Sequence, residues 1–286
     1  MRQLLGILVA SLIAATSTGS TAGAEAVSVS QLKERTHIHG LAVDRENSQK
    51  LLIATHHGLF RAGSDGKAEL ISPVQDFMGF TPDPSDPRSL YASGHPAGGG
   101  NLGFIASTDN GATWTQIAPG ADGPVDFHQM TVSSADPQVL YGAYGGLQVS
   151  RDAGKTWSVV GLLPEKLIDL AASAKDADTI YAATEGGLSV SRNGGLIWET
   201  VVDGAPVSLV EVTADGSVYA FVVGRGLVRS AEAALNFAPL SSGLSDRILL
   251  HLAVDPADKD RIFVASHQGD ILASTDGGVN WTELGR

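Results

Sequence analysis

The chain has 286 residues, with 19 basic and 31 acidic side chains, 34 glycines and no cysteine. Without cysteine there is no disulfide framework, no thiolate metal site, no cysteine nucleophile and no lipid carried on an N-terminal cysteine. A formal net charge of −12 argues against nucleic acid as a partner, because phosphate binding needs a basic surface, and 43% hydrophobic residues is the composition of a folded globule rather than a disordered chain.

In chain order, the first feature is a leader. Met1-Arg2 gives a positive start, positions 4–15 are an apolar run (LLGILVASLIAA), and Ala22-Gly23-Ala24 is a small-residue cleavage site. This order predicts a secretory signal over 1–24, and the run is short for a membrane span. Loss of Arg2 leaves 18 basic against 31 acidic side chains, a mature charge of −13. The expectation is an exported protein, periplasmic or secreted, monomeric, with no membrane insertion after cleavage.

Residues 25–286 then read as one domain of six units, at about 37–72, 75–120, 125–161, 166–204, 206–243 and 247–286. Each unit shows a four-strand rhythm. In the third, the runs are 126–132, 139–143, 147–150 and 157–160. The first two strands of a unit are joined by Asp/Pro-rich turns such as DPSDPRS at 83–89 and DPADKD at 255–260. Val27-Ser28-Val29-Ser30 alternates like a further edge strand near the ring junction, while the last unit carries all four of its own strands. No linker separates the units. The predicted fold is all-β, a single six-bladed β-propeller of four-stranded antiparallel blades.

All four tryptophans fall in one motif: STDNGATW at 107–114, SRDAGKTW at 150–157, SRNGGLIW at 191–198 and STDGGVNW at 274–281, with a worn copy, SAEAALNF, at 230–237. The aromatic positions 114, 157, 198, 237 and 281 are separated by 43, 41, 39 and 44 residues. An Asp or Asn accepts backbone N–H groups in a turn, Gly supplies positive φ, and the Trp packs between neighbouring units. This S-x-D-x-G-x-x-W pattern resembles the Asp-box, or BNR, repeat of the sialidase superfamily and related WD40/YVTN/BNR-like propellers. The resemblance implies the propeller fold and leaves the activity open, because such turns recur in proteins of many functions.

The histidines carry the functional reading. Aligning units by their second strands places His39, Met78, His128, Asp169 and His251 near the start of the innermost strand. It places His56, His95, Tyr144, Glu185 and His267 just after the second strand, with His37 and His57 beside them. All eight histidines then fall on one rim of the propeller and the Asp-boxes on the other. Neutral imidazoles are common ligands of late transition metals. The candidate metal set is His39, His56, His95, His128, His251, His267 and Met78, suited to copper if the Met thioether joins and to zinc if a carboxylate does. The Gly98-Gly99-Gly100 loop after His95-Pro96 is expected to fold over this mouth.

Two rival readings use the same rim. The sialidase resemblance implies a glycoside hydrolase, with Tyr144 as nucleophile activated by Glu185, carboxylates drawn from Asp76, Asp126, Asp169, Glu185 and Glu211, and Arg35, Arg225 or Arg247 on a substrate carboxylate. The opening strand reads His37-Ile38-His39-Gly40, where that family carries Arg-Ile-Pro. The other rival is an interaction scaffold or assembly factor for an envelope protein. The expected ligand is thus a metal ion, a glycan or another small molecule, with copper or zinc as the candidate cofactor.

Overall fold

The computed structural model describes residues 26–240, 243–244 and 246–285; the expected signal segment, 1–24, lies outside them. Among the described residues no helix is long and apolar enough to cross a membrane. Six antiparallel sheets are formed, five of four strands and the first of five. Their innermost strands are Ile38–Val43, Met78–Pro82, Gln129–Val132, Leu167–Ala172, Val207–Val212 and Leu249–Asp255. Each innermost strand packs against the next, and the first against the last. The molecule is therefore the six-bladed β-propeller that the repeat spacing predicts. The innermost strands enclose a channel of about 1140 Å³.

Blade sequences alternate because one face of each strand meets the neighbouring blade. In the fourth blade, for example, Ile180, Ala182 and Leu188 are fully buried. Ile180 and Ala182 pack towards the third blade, and Tyr181 and Ala183 towards the fifth.

The ring closes by packing rather than by exchange of a strand. The last blade owns four strands, from Leu249–Asp255 to Thr282–Glu283. Val27–Ser28 adds a fifth strand outside Lys67–Leu70 of the first blade, as its alternation predicts. The chain then makes one helical turn, Val29–Leu32, capped by Ser28 with Gln31 bonding back. Val29 and Leu32 are buried among Leu41 and Ile53 of the first blade and Phe263 and Ile271 of the last. Lys33 Nζ reaches Asp270 of the last blade at 2.6 Å. This apolar wedge and ion pair tie the two ends of the ring together.

The Asp-box turns show why their residues recur. Each Ser hydroxyl accepts the N–H of the glycine four residues on: Ser107 from Gly111, Ser150 from Gly154, Ser191 from Gly195 and Ser274 from Gly278, at 2.8–2.9 Å. The Asp or Asn in turn accepts the Ser hydroxyl and a backbone N–H four residues on, as Asp152 does from Ser150 and Thr156. Trp157 Nε1–H donates to the Gly154 carbonyl at 2.9 Å. The residue before that glycine is also left-handed; in the second copy it is Ala153, at φ +58°. An L-residue with a Cβ is strained there. Ala153→Gly is therefore expected to stabilise the fold by about 0.5 kcal/mol, the relief of strain exceeding the entropy that glycine adds to the unfolded chain. A urea titration checks this, and a lowered midpoint would refute it.

Candidate functional site: a histidine and carboxylate rim

Antiparallel pairing puts the start of each first strand beside the end of each second strand, as in Ile38 opposite Thr55, Met78 opposite Ser93 and Leu249 opposite Ser266. That end of the blades carries the histidines. The Asp-boxes bond to the turns at the opposite end, with Asn110 N–H on the Arg88 carbonyl, Ala153 on Gln138 and Gly277 on Asp260. The segregation expected from the sequence is therefore present.

Three of these side chains converge at the first blade boundary. His39 lies at the lip of the first strand, His56 follows the second strand, and Asp76 precedes the first strand of the second blade. Their ligand atoms all lie within 4.8 Å of one another, the only His/Asp/Glu group of this kind among the described residues. His56 Nδ1 is 3.1 Å from Asp76 Oδ2, His39 Nε2 is 3.9 Å from Asp76 Oδ1, and the His39 and His56 rings are 4.1 Å apart. His39 Nε2 and Asp76 Oδ1 are buried without a hydrogen-bond partner. Burial, with the neighbouring His56, His251, His37 and His128 adding to it, lowers the His39 pKa to about 3. The ring is thus neutral near pH 7, the form that ligates metals. His37 and His57 flank His56, with ring centroids 5.5 and 6.5 Å away.

The arrangement recurs one blade on. His95 follows the second strand of blade two, and Asp126 precedes the first strand of blade three. His95 Nε2 lies 2.9 Å from Asp126 Oδ2, and His128 Nε2 lies 2.8 Å from the same oxygen. His95 Nδ1–H donates to the Gly100 carbonyl at 2.8 Å. That bond is the largest cause of a raised His95 pKa; burial opposes it, and the charges of Asp126 and Asp76 reinforce it. The glycine loop thus reaches the mouth, and Asn101 Nδ2 beyond it bonds the Pro124 carbonyl and the Tyr144 hydroxyl. Phe77 and Phe127 follow the two aspartates and are fully buried. They pack on Trp114 and Trp157 at centroid distances of 4.7 Å. The Asp-box tryptophans therefore anchor the backbone that presents the two carboxylates.

The remaining candidates sit elsewhere on or below the rim. His251 Nε2–H donates to the Ile38 carbonyl at 3.1 Å across the ring junction, and burial lowers its pKa to about 4. His267 is exposed on a loop, its N–H on the Ile248 carbonyl. Met78 is buried at the start of its strand. Glu185 pairs with Lys166 at 2.6 Å, and Tyr144 takes the amide of Asn101. No hydrogen bond joins Tyr144 to Glu185 among the described residues. Asp169 and Glu211 face the channel, where burial raises their pKa values to about 7 and about 8, with the Asp169 charge adding to the shift at Glu211.

The strand register corrects the alignment by one residue in places. Gly40, Gln129, Asp169 and His251 occupy one position, opposite Ala54, Ala143, Ala183 and Ala265. Asp169 and His251 therefore lie one residue further along their strands than His39 and His128. Tyr144 follows Ala143 as Thr55 follows Ala54, so it precedes the position of His56 rather than matching it. Asp76 and Asp126, expected only as glycosidase carboxylates, both join imidazoles. The signal for them is the shared pattern Asp76-Phe77-Met78 and Asp126-Phe127-His128, with the aspartates two and three residues before strands that begin at Met78 and Gln129.

The BNR/Asp-box repeat model matches residues 148–159, the second tryptophan motif. The chain is a six-bladed propeller that carries a BNR/Asp-box repeat. Among solved structures, the GH74 enzyme of Niastella koreensis is similar at 17% identity and a TM-score of 0.59, over 87% of this chain and 45% of that one. The GH74 xyloglucanase of Xanthomonas campestris is similar at 17% identity and a TM-score of 0.56, again over 87% and 45%. This chain thus spans less than half the length of either enzyme. YCF48 bound to a D1 peptide is similar at 20% identity and a TM-score of 0.53, over 91% of this chain and 83% of that one. At these identities the likeness is one of fold. A comparison with curated proteins finds no match by sequence.

Proposed function

We propose that this protein is an exported ligand-binding propeller whose rim holds a transition-metal ion on His39, His56 and Asp76. The observation that carries the reading is the convergence of three ligand atoms within 4.8 Å, two of the residues contributing buried polar atoms that bond to nothing else. Leaving such atoms unpaired costs roughly 1–3 kcal/mol each, and a cation satisfies both. Two nitrogens and a carboxylate oxygen, with one side open to the mouth, are the donor set of a zinc-class ion rather than of copper held by thioether. His56 is 43% exposed on its side chain, which leaves the ion reachable from solvent and a coordination position free for a ligand.

The glycoside hydrolase reading draws on the similarity to GH74 enzymes, but its nucleophile and activating base are bonded to other partners here. The scaffold reading draws on the similarity to YCF48 bound to a peptide. Neither has a convergence of unpaired groups behind it.

Competition with a chromophoric zinc chelator tests the proposal on tag-free protein. His39→Ala and Asp76→Asn are each expected to weaken the tightest zinc binding by at least about a hundredfold, since loss even of groups that merely orient a ligand costs 10–100-fold. Unchanged affinity in both variants would refute it.

A further inference from the structure

We infer that the next blade boundary holds a second transition-metal ion, on His95, Asp126 and His128, so that the mouth is a two-ion site. The inference extends the reading above but does not need it, because the two triads share no residue. Asp126 is buried, its side chain 4% exposed, and Oδ2 has imidazole nitrogens at 2.9 and 2.8 Å. Oδ1 is buried with no partner at all. A buried carboxylate is costly unless a cation or hydrogen-bond donors satisfy it, and Oδ1 has neither.

The tautomer of His95 decides where the cation goes. Its Nδ1–H is committed to the Gly100 carbonyl, so the neutral ring aims the Nε2 lone pair at Asp126. Two lone pairs facing each other at 2.9 Å repel unless a proton or a metal ion lies between them. A backbone carbonyl fixing one ring nitrogen so that the other can ligate is the common second-layer arrangement of metal-bound histidine. The two imidazoles flank Oδ2 rather than meet at a point, so the ion requires a swing of one ring. His128, with a side chain 64% exposed, has the room.

The repeat supplies the independent observation. His56 with Asp76 and His95 with Asp126 are the same kind of pairing, between a histidine after one blade's second strand and an aspartate two or three residues before the next blade's first strand. Each aspartate leaves a buried oxygen unpaired. Blade two starts its first strand with Met78 and so offers no imidazole there, where blade one has His39. The first triad takes its third donor from the preceding blade, and the second takes His128 from the following one.

The test is zinc content after equilibrium dialysis of the tag-free full chain, read by elemental analysis. Wild type is expected to hold two equivalents, Asp76→Asn one, Asp126→Asn one, and the double variant none. His128→Ala, an exposed change that spares the fold, is expected to weaken the second equivalent at least tenfold, with a circular dichroism melt confirming that the variant is folded. One equivalent in wild type that survives Asp126→Asn and is lost in Asp76→Asn overturns the second site and leaves the first. One equivalent that survives Asp76→Asn and is lost in Asp126→Asn overturns the first and keeps the second. No bound zinc in wild type overturns both and assigns the cation beside Asp126 to a proton on His95.

Discussion

Gly154→Ala is expected to destabilise the propeller by at least about 3 kcal/mol, the sum of a strained backbone and an overpacked contact. Gly154 has φ +80°, and a Cβ there would lie 2.0 Å from Phe104 Cε1 in the preceding blade. Phe104 is fully buried and packs on Tyr91 and Trp157, so it has nowhere to retreat. Gly195 repeats the situation, at φ +91° and 2.0 Å from Leu147 Cδ2. Gly145 is the control. It is also left-handed, at φ +63°, but nothing lies within 4 Å of its Cβ position. Gly145→Ala should therefore cost only the backbone part, about 1–2 kcal/mol. Chemical denaturation of the three variants checks the order. Equal losses at 145 and 154 would show that the packing of the Asp-box turn on the preceding blade contributes nothing.

In metal-free buffer, stability is expected to fall by about 2 kcal/mol between pH 6.5 and 8. Inside the folded channel Asp169 and Glu211 ionise only near pH 7 and 8, whereas in the unfolded chain they do so near 3.8 and 4.5. Between those values the folded state carries more protons, so raising the pH favours unfolding. His95, whose folded pKa is also raised, acts in the same direction. His39 and His251 act oppositely. Their folded pKa values of about 3 and about 4 lie below the unfolded 6.5, so their contribution is complete above pH 6.5 and is lost as the pH drops through the folded values. The two effects oppose one another from about pH 4.5 to 6.5, giving a plateau there. Above it the channel carboxyls dominate, and Tm should decline by ~5 °C. Glu211→Gln removes the larger share and should flatten the decline by half or more. A Glu211→Gln profile parallel to wild type would show that Glu211 is ionised in the channel without penalty.

How much of this was legible in the sequence follows from what is local and what crosses a blade boundary. Ser150, Asp152, Gly154 and Trp157 interact within eight residues of chain, so their spacing carries the turn and, repeated, the propeller. The rim was legible for a similar reason, since strand direction alone places His39, His56, His95 and His267 at one end. The convergence was not. His56 meets Asp76, and His95 meets Asp126, across a boundary between separately hydrogen-bonded sheets, where no ladder register transmits a sequence pattern. Asp169 and His251 lie opposite Ala183 and Ala265 as Gly40 lies opposite Ala54, and all three first strands bulge just before that residue, so the match of residue types with His39 is not a match of position. The glycine loop was expected over the mouth, but its role in fixing the His95 tautomer rests on a backbone carbonyl, which has no signature in the side-chain sequence.

A crystal structure of the zinc-loaded protein, with anomalous scattering collected on both sides of the zinc edge, decides whether the rim is a metal centre. A peak roughly 2.0–2.2 Å from His39 Nε2, His56 Nδ1 and an Asp76 oxygen is expected. Zinc present only at lattice contacts, with the His39 and Asp76 atoms bonded to ordered water instead, would contradict it.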